Sequence, residues 1–298
     1  MKEQLPMKYE EDEIDLGNYF AVLRKEWWKI ALFSLAIGLG TLLGMFQLPN
    51  LYRSTAVITP PIDEKKQSPT LGTLASFGID LGGLPKVEDL ETLFKSNDLT
   101  ARVFRNHALW PIVLGDRFDP KTGTARPTLV DRLSGRGEGP KPPGDWDAVR
   151  ATKDALTVLT NRKTGSVTIS FESRFAEGSA EIIKYYLEEG KSRLQEEALA
   201  RAMKNKRFIQ EQIGKTVDTL TRDRLYALYG QEVEKEMMAR NREQFGFRVI
   251  DTPWVPDRKS KPSRALTAFM ATLFSGLACS IYLFARERHR RSTVRSTP

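Results

Sequence analysis

Two apolar runs near the two ends of this chain constrain its fold more than any other feature. The first covers residues 30–46 and the second covers residues 265–285, with 217 mostly polar residues, 48–264, between them. The second run has 21 residues without a charge, bounded by Arg264 and Arg286. As a helix it is long enough to cross a hydrocarbon core of about 30 Å. This layout predicts two transmembrane helices that enclose one large domain.

The first run is close to the lower length limit for a membrane span, and its length is also compatible with a buried helix or a signal peptide. A buried helix of a soluble domain normally keeps one polar face, whereas residues 30–46 are apolar all round. A cleaved signal peptide needs a small-x-small site, and none follows at residues 47–52. We therefore expect an uncleaved anchor at residues 30–48, with the second transmembrane helix at 265–285.

Basic residues near the first anchor predict the orientation. Arg24, Lys25 and Lys29 precede it closely, whereas Arg53 is the only basic residue in the 16 that follow. Lysine and arginine favour the cytoplasmic side, so residues 1–29 are predicted to be cytoplasmic. Two crossings return the tail, 286–298, to the same side. Residues 49–264 are then a periplasmic domain, and the protein is a multi-pass protein of a bacterial inner membrane.

Composition and motifs argue against several classes of function. Cys279 is the only cysteine and lies inside the second anchor, which excludes disulfides and cysteine-metal sites from the domain. The net charge of +8 is spread along the chain without a basic block, so we expect no nucleic-acid partner. Gly214-Lys215-Thr216 lacks the earlier glycine of a phosphate loop, because that position is Ile209.

The histidines and carboxylates, which carry most catalytic chemistry, are not placed to form an active site. His107 and His289 lie on opposite sides of the predicted membrane, so they cannot share a metal or form a triad. His107 is interpreted as a surface residue at a helix end. Adjacent carboxylates, such as Glu188 and Glu189, point to different helix faces and are typical of a solvated surface. We expect no enzyme activity, no metal and no cofactor.

The domain combines strands with long helices. Strict alternation predicts a strand at 166–172, strand-forming residues predict one at 52–59, and a returning strand is expected at 247–252. Helices are predicted at 89–106, from helical spacing, and at 147–159. Residues 68–85 are interrupted by glycines and are expected to be a loop or a short broken helix, and the proline- and glycine-rich residues 111–144 are expected to be a surface loop. A long helical tract covers about 176–244, with bends or breaks expected at Gly190, Gly214 and Gly230. Its apolar seam needs partner helices from the same chain or a neighbour.

Before the first anchor, an apolar stripe at helical spacing runs from Leu16 to Trp27. Two interpretations stay open for it. The stripe could belong to an amphipathic helix on the inner membrane surface, with Trp27 and Trp28 at the interface. It could equally be a helical extension of the anchor.

Taken in order, the motifs resemble those of the Wzz-type chain-length determinants, the polysaccharide co-polymerase family. The opening EIDLGNYFAVLRKEWWKI, the anchor and LYRSTAVITPP are similar to its N-terminal signature. FRVIDTPWVPDRKSKPSRAL resembles its proline-rich approach to the second anchor, with Pro253, Pro256 and Pro262 at matching places. The chain departs from the family pattern at Arg174-Phe175, where Asp-Pro is usual. Some relatives carry a kinase after the second anchor, and none is expected here.

Small residues in the anchors are candidate packing sites. They recur at four-residue spacing, a pattern that lets membrane helices approach closely: Ala36, Gly40 and Gly44 in the first anchor, and Ala268, Thr272, Gly276 and Ser280 in the second. Ordinary membrane composition explains them equally well, as a stiff linker explains the prolines. Arg201, Lys204 and Arg207 on the long tract could contact sugar or form a solvated face.

The resemblance implies a membrane protein with two transmembrane helices enclosing an α/β (α+β) periplasmic domain with a long extended helix. It also implies a non-enzymatic homo-oligomer that regulates the chain length of a surface polysaccharide, O-antigen or a related glycan, beside a membrane polymerase and its lipid-linked glycan. A capsule or exopolysaccharide export component of the same family is the alternative. A two-anchor periplasmic ligand sensor is the alternative from another class.

Overall fold

The computed structural model describes residues 16–61, 85–127, 139–241 and 245–295. These residues form two compact units. One contains both chain ends, up to Pro49 and from Pro262 onward, and the other is a central unit of residues Asn50–Lys261. The loop or short broken helix predicted at 68–85 lies, except for Pro85, outside the described residues.

The first unit is a pair of long helices, α1 (Leu16–Phe46) and α8 (Arg264–Arg295), packed side by side. Within them, Glu26–Phe46 and Arg264–Arg286 are long and apolar enough to cross a membrane, each with a mean hydropathy of 1.8. Helix α1 is continuous from Leu16, as expected if the N-terminal stripe extends the anchor. The Arg264 guanidinium lies 4.7 Å from the ring centre of Phe46, a cation-π contact at one end of the pair.

The central unit is built on a four-stranded antiparallel sheet with the strand order β4-β5-β1-β6. Its strands are β1 (Tyr52–Thr59), β4 (Leu156–Asn161), β5 (Ser166–Ser173) and β6 (Arg248–Asp251). The strands predicted at 52–59, 166–172 and 247–252 are therefore confirmed. Strands β2 (Phe118–Asp119) and β3 (Thr124–Ala125) form a separate small hairpin.

One face of the sheet carries the hydrophobic core. Ala56 and Ile58 on β1, and Val167, Ile169 and Phe171 on β5, are buried at alternate positions. Helices α2 (Val87–Lys95), α3 (Asn97–Asn106) and the start of α6 (Ala176–Lys215) complete this core. Phe94, Tyr186 and Phe247 are among its largest fully buried side chains. Burial of such side chains is worth about 1.5–3 kcal/mol each, and it holds the helices on the sheet.

A buried carboxylate fixes α3 against α6. Glu189 on α6 accepts hydrogen bonds from Arg102 Nε at 2.6 Å, Asn106 Nδ2 at 3.0 Å and His107 Nε2 at 3.1 Å. Burial acts to raise the pKa of Glu189, but these hydrogen bonds outweigh it and the pKa lies below its ordinary value. His107 does follow the end of α3, but its ring is largely buried and stacks on Tyr185 with centres 3.9 Å apart. The interpretation of His107 as a surface residue was wrong.

The long tract is two helices that fold back on each other. Helix α6 runs through Gly190 and Gly214 to Lys215, the break falls at residues 216–218, and α7 (Thr219–Arg240) returns through Gly230. Ile209 and Leu228 form a small buried core between them. The seam thus finds a partner in its own chain at Ile209, and the long tract is a helical hairpin whose first arm is the 40-residue helix α6.

Polar contacts also join the two arms of this hairpin. Glu232 is only 2% exposed and pairs with Lys235 at 2.6 Å, while Asn205 on the opposite arm donates to it at 3.3 Å. Lys206 reaches Glu236 at 2.7 Å. The buried Glu232 carboxylate is therefore partnered from both arms, as buried charges require.

Three other predicted elements differ from the structure. The helix predicted at 147–159 is α5 (Asp145–Thr152) followed by strand β4, so its second half was wrong. The helix predicted at 89–106 is divided at Ser96, whose hydroxyl accepts from the Leu99 N–H and caps α3. The described part of 111–144 includes most of a short helix, α4 (Trp110–Leu114), and the β2-β3 hairpin.

Substitution by alanine should change the thermal stability in opposite directions at Gly190 and at Gly230. A Cβ at Gly190 would lie 2.9 Å from Phe94 Cζ in the core, whereas a Cβ at Gly230 meets no described atom within 4 Å. Overpacking costs about 1–3 kcal/mol, which exceeds the gain of about 1 kcal/mol in helix propensity. We expect Gly190→Ala to lower the thermal unfolding midpoint of the detergent-solubilised protein and Gly230→Ala to raise it. Equal shifts for both variants would contradict this packing.

Candidate functional site in the anchors and at the ends of the central domain

Of the two predicted small-residue faces, the one on α8 faces the other helix of the pair and the one on α1 does not. On α8, Thr272 and Gly276 face α1, since a Cβ at Gly38 would come 2.0 Å from Thr272 Oγ1 and one at Gly276 would come 3.7 Å from Ser34 Cβ. Ala268 lies on the same face, because its carbonyl is 3.7 Å from the Gly38 Cβ position. Ser280 is half-buried and donates to the Gly276 carbonyl at 2.9 Å.

On α1, Ser34 and Gly38 face α8, whereas the predicted Ala36, Gly40 and Gly44 do not. No described atom lies within 4 Å of a Cβ at Gly40 or Gly44, and Ala36 is exposed. The two sets differ by two positions, which is a turn of about 200° around a helix. Ser34 and Gly38 have the same four-residue spacing, so this signal was present in the sequence but did not distinguish one face from the other.

The two ends of the central unit meet beside strand β1. The Leu51 N–H donates to the Lys261 carbonyl at 2.9 Å, and the Leu51 carbonyl accepts from the Ser260 N–H at 2.8 Å. Leu51 follows α1 by five residues, and Lys261 precedes α8 by three. The segments that lead to α1 and α8 are therefore joined by backbone hydrogen bonds.

An ion cluster reinforces this junction. The Glu172 carboxylate on β5 accepts from Arg53 Nε at 2.8 Å and Nη2, and it pairs with Lys261 Nζ at 2.9 Å. Arg53 and Glu172 are direct cross-strand partners. Burial acts to raise the pKa of Glu172, but the hydrogen bonds from Lys261 and Arg53 outweigh it, so the pKa lies below its ordinary value. We call Arg53, Glu172 and Lys261 the junction cluster.

The predicted prolines lie in the segment that leads to this junction. Pro253 and Pro256 are half-buried and belong to the irregular chain after β6, and Pro262 directly follows Lys261. Between the first two, the Trp254 carbonyl accepts from Ser54 Oγ at 2.8 Å. The sequence did not predict the junction cluster, because its members are 89 or more positions apart, or the bond between Ser54 and Trp254, which are 200 positions apart.

The described residues contain no cluster of three histidine, cysteine, aspartate or glutamate side chains able to hold a metal ion. The junction cluster binds its carboxylate to two cations, which suits a structural role.

Removal of the junction carboxylate should weaken the central unit. Glu172→Gln keeps the shape of the side chain but leaves Arg53 and Lys261 without an anionic partner. Hydrogen bonds to charged groups contribute about 1.5–3 kcal/mol, and we expect a loss of about this size in urea unfolding at neutral pH. Glu211→Gln, on the exposed face of α6, is the matched control and should change little. An equal loss in both variants would argue against the cluster.

The junction cluster also predicts an acid-sensitive contribution to stability. Because the pKa of Glu172 is lowered on folding, its stabilisation is present above the ordinary value of 4.5 and is lost as pH falls through the lowered value. We expect the difference in unfolding free energy between the native protein and Glu172→Gln to shrink as pH falls from 6 toward 3, measured by urea titration. A difference that is independent of pH would contradict this.

The helix pair predicts that Gly38 and Gly40 respond differently to the same leucine. Gly38→Leu places a side chain where Thr272 Oγ1 lies, and we expect it to separate α1 from α8. Gly40→Leu meets open space within the chain and should leave the pair intact. The thermal stability of each variant in detergent, followed by circular dichroism, tests this. Equal losses would show that the helices do not cross at Gly38.

Comparison with known proteins finds a family match for the N-terminal third of the chain. Residues 12–107 match the family described as Wzz, chain length determinant protein. This segment includes α1, β1, α2 and α3, and thus the first anchor and the Arg53 side of the junction cluster. No curated protein sequence matches the chain.

Several solved structures are similar to the chain at low identity. A full-length bacterial polysaccharide co-polymerase matches with 15% identity and a TM-score of 0.39, over 94% of this chain and 99% of that chain. A fragment of WzzB, a polysaccharide co-polymerase from Salmonella Typhimurium, has 15% identity and a TM-score of 0.29, over 71% and 100%. The O-antigen chain-length regulator WzzBSF from Shigella flexneri has 13% identity and a TM-score of 0.28, over 70% and 100%.

The family match lies on the motifs that suggested the resemblance at the N-terminal end, namely the segment before the first anchor, the anchor itself and the strand that follows. The resemblance to the Wzz-type chain length determinants is thereby confirmed, and residues 12–107 carry it.

Proposed function

We propose that this chain is a non-enzymatic scaffold of a bacterial inner membrane that regulates the chain length of a surface polysaccharide, O-antigen or a related glycan. The observation that carries the proposal is the family match over residues 12–107. It covers the part of the chain that enters the membrane, leaves it and begins the sheet.

In the proposed arrangement, α1 and α8 span the membrane, both termini are cytoplasmic and the central unit is periplasmic. The helices have the length and hydropathy that this requires. Arg24 and Lys25 precede the first span, and Arg53 alone follows it closely, which supports this orientation.

The scaffold is proposed to be a homo-oligomer that works beside the membrane polymerase and its lipid-linked glycan. Gly40 and Gly44 support this, because their face of α1 has no described neighbour within the chain and small residues favour close helix approach. The tip of the α6-α7 hairpin also supports it, since Val217 is 93% exposed and Leu220 is 61% exposed. Exposed apolar side chains grouped in this way are typical of surfaces that meet a partner.

Deletion of the gene followed by gel analysis of the surface polysaccharide tests the function. We expect the modal length of the glycan to be lost or shifted while polysaccharide still reaches the surface. An unchanged length distribution would refute the proposal. Complete loss of surface polysaccharide would instead indicate the export component considered above.

The oligomer is tested through the outward face of α1. The double variant Gly40→Leu, Gly44→Leu should reduce the size of the complex in detergent or lipid and change the modal glycan length. Its protomer should stay as stable as the native one, because both leucines meet open space within the chain. A native protein that is monomeric in lipid would remove the scaffold mechanism.

A further inference from the structure

We propose that Trp254 and Val255, called here the Trp254 patch, rest on the phospholipid headgroup layer. The proposal depends on α8 spanning the membrane, and it is independent of any role in polysaccharide length.

The patch exposes more apolar surface than a soluble domain normally leaves in water. Trp254 is 74% exposed and is the most exposed of the five tryptophans. Its neighbour Val255 is 55% exposed. A large apolar group left in water forgoes about 1.5–3 kcal/mol of burial energy. Grouped exposure of this kind indicates an interaction surface.

The patch is held in a fixed position. The Trp254 carbonyl accepts a hydrogen bond from the Ser54 hydroxyl, and Ser54 is a residue of β1 that is only 2% exposed. Pro253 and Pro256 flank the patch, and proline fixes the backbone angle φ near −65°. The indole therefore extends from a constrained backbone, so little further conformational entropy is lost when it is covered.

Its position along the chain favours a lipid surface. Ser54 on β1 is three residues from Leu51, which directly precedes the strand, a distance of about 10 Å along an extended chain. Leu51 is hydrogen-bonded to Lys261, and Lys261 lies three residues before α8 begins at Arg264. The patch is thus near the end of the sheet where both connections to the membrane helices leave the central unit.

The charge around the patch is suited to phosphate groups. Residues 248–264 contain five basic and two acidic residues. The Arg258 side chain is 90% exposed, with Asp257 3.7 Å away, and Lys259 is also exposed. Tryptophan beside lysine and arginine is the combination that proteins place at the level of lipid headgroups. Arginine and lysine donate charge-assisted hydrogen bonds to the phosphates there.

Trp146 offers a matched control within the same domain. It is 68% exposed, so its environment within the chain is similar to that of Trp254. It lies on α5 between Asp145 and Asp147, two acidic neighbours that disfavour a phosphate-rich surface. Phenylalanine at either position leaves the buried core untouched.

The test is fluorescence quenching of the purified full-length protein in phosphatidylcholine vesicles with and without lipids brominated near the headgroup end of the acyl chains. Native protein, Trp254→Phe and Trp146→Phe are compared. We expect Trp254→Phe to lower the fraction of emission that the brominated lipid quenches, because a quenchable tryptophan has been removed. Trp146→Phe should raise this fraction, because an unquenchable one has been removed. Circular dichroism checks that both variants are folded.

The same change in both variants, or a higher quenched fraction in Trp254→Phe, would overturn the proposal. The patch would then be assigned to a second protein, since the vesicles contain no protein other than this chain. The double variant Arg258→Ala, Lys259→Ala retains both tryptophans. Its emission should be quenched less by the brominated lipid than that of the native protein. Unchanged quenching in that variant would overturn the role of headgroup phosphates.

Discussion

The pairing of strand β1 on both sides is the constraint on which the rest of the structure depends. A chain that enters the domain from one membrane helix must return to a second helix, so its first and last segments have to be brought together. Here β1 takes the centre of the sheet, with β5 on one side and β6 on the other. The backbone bonds between Leu51 and Lys261 continue the pairing on the β6 side. The helical core, the junction cluster and the bond from Ser54 to Trp254 are all organised around this one strand.

Sequence reasoning was most successful where a pattern was local and had a single explanation. The alternation in β1 and β5 arises because one face of each strand packs in the core, and a period of two is not compatible with a helix. Strand β4 was missed for two reasons. It comes soon after a true helix, and its less exposed positions, Leu156, Val158 and Thr160, include a polar residue, so the alternation of apolar and polar residues in the sequence is incomplete. The break in the long tract was expected at glycines, but Gly190 is inside the helix because its missing Cβ makes room for Phe94. A glycine in a helix can thus reflect packing as much as a bend.

The candidate site shows a different limit. Small-residue spacing in the anchors predicted which residue types allow close approach, and Thr272 and Gly276 do face α1. The spacing could not give the face on α1, because a helix has several faces and the partner helix is 200 or more residues away in the sequence. The junction cluster had no sequence signal at all, since Arg53, Glu172 and Lys261 are joined only after the strands have paired. Contacts of this kind depend on the tertiary fold and are not encoded by local spacing.

The buried Glu232 in the α6-α7 hairpin has a consequence for how the two arms align. Apolar contacts such as that between Ile209 and Leu228 would tolerate a slip of one helical turn, because leucine and isoleucine can substitute for one another along a seam. A slip would carry Glu232 away from Asn205 and leave a carboxylate buried with fewer partners, which is costly. The polar contact therefore selects one alignment among several of similar apolar energy, much as a buried asparagine does in a coiled coil. The position of Val217 at the tip of the α6-α7 hairpin therefore depends on one buried carboxylate, Glu232, between the two arms.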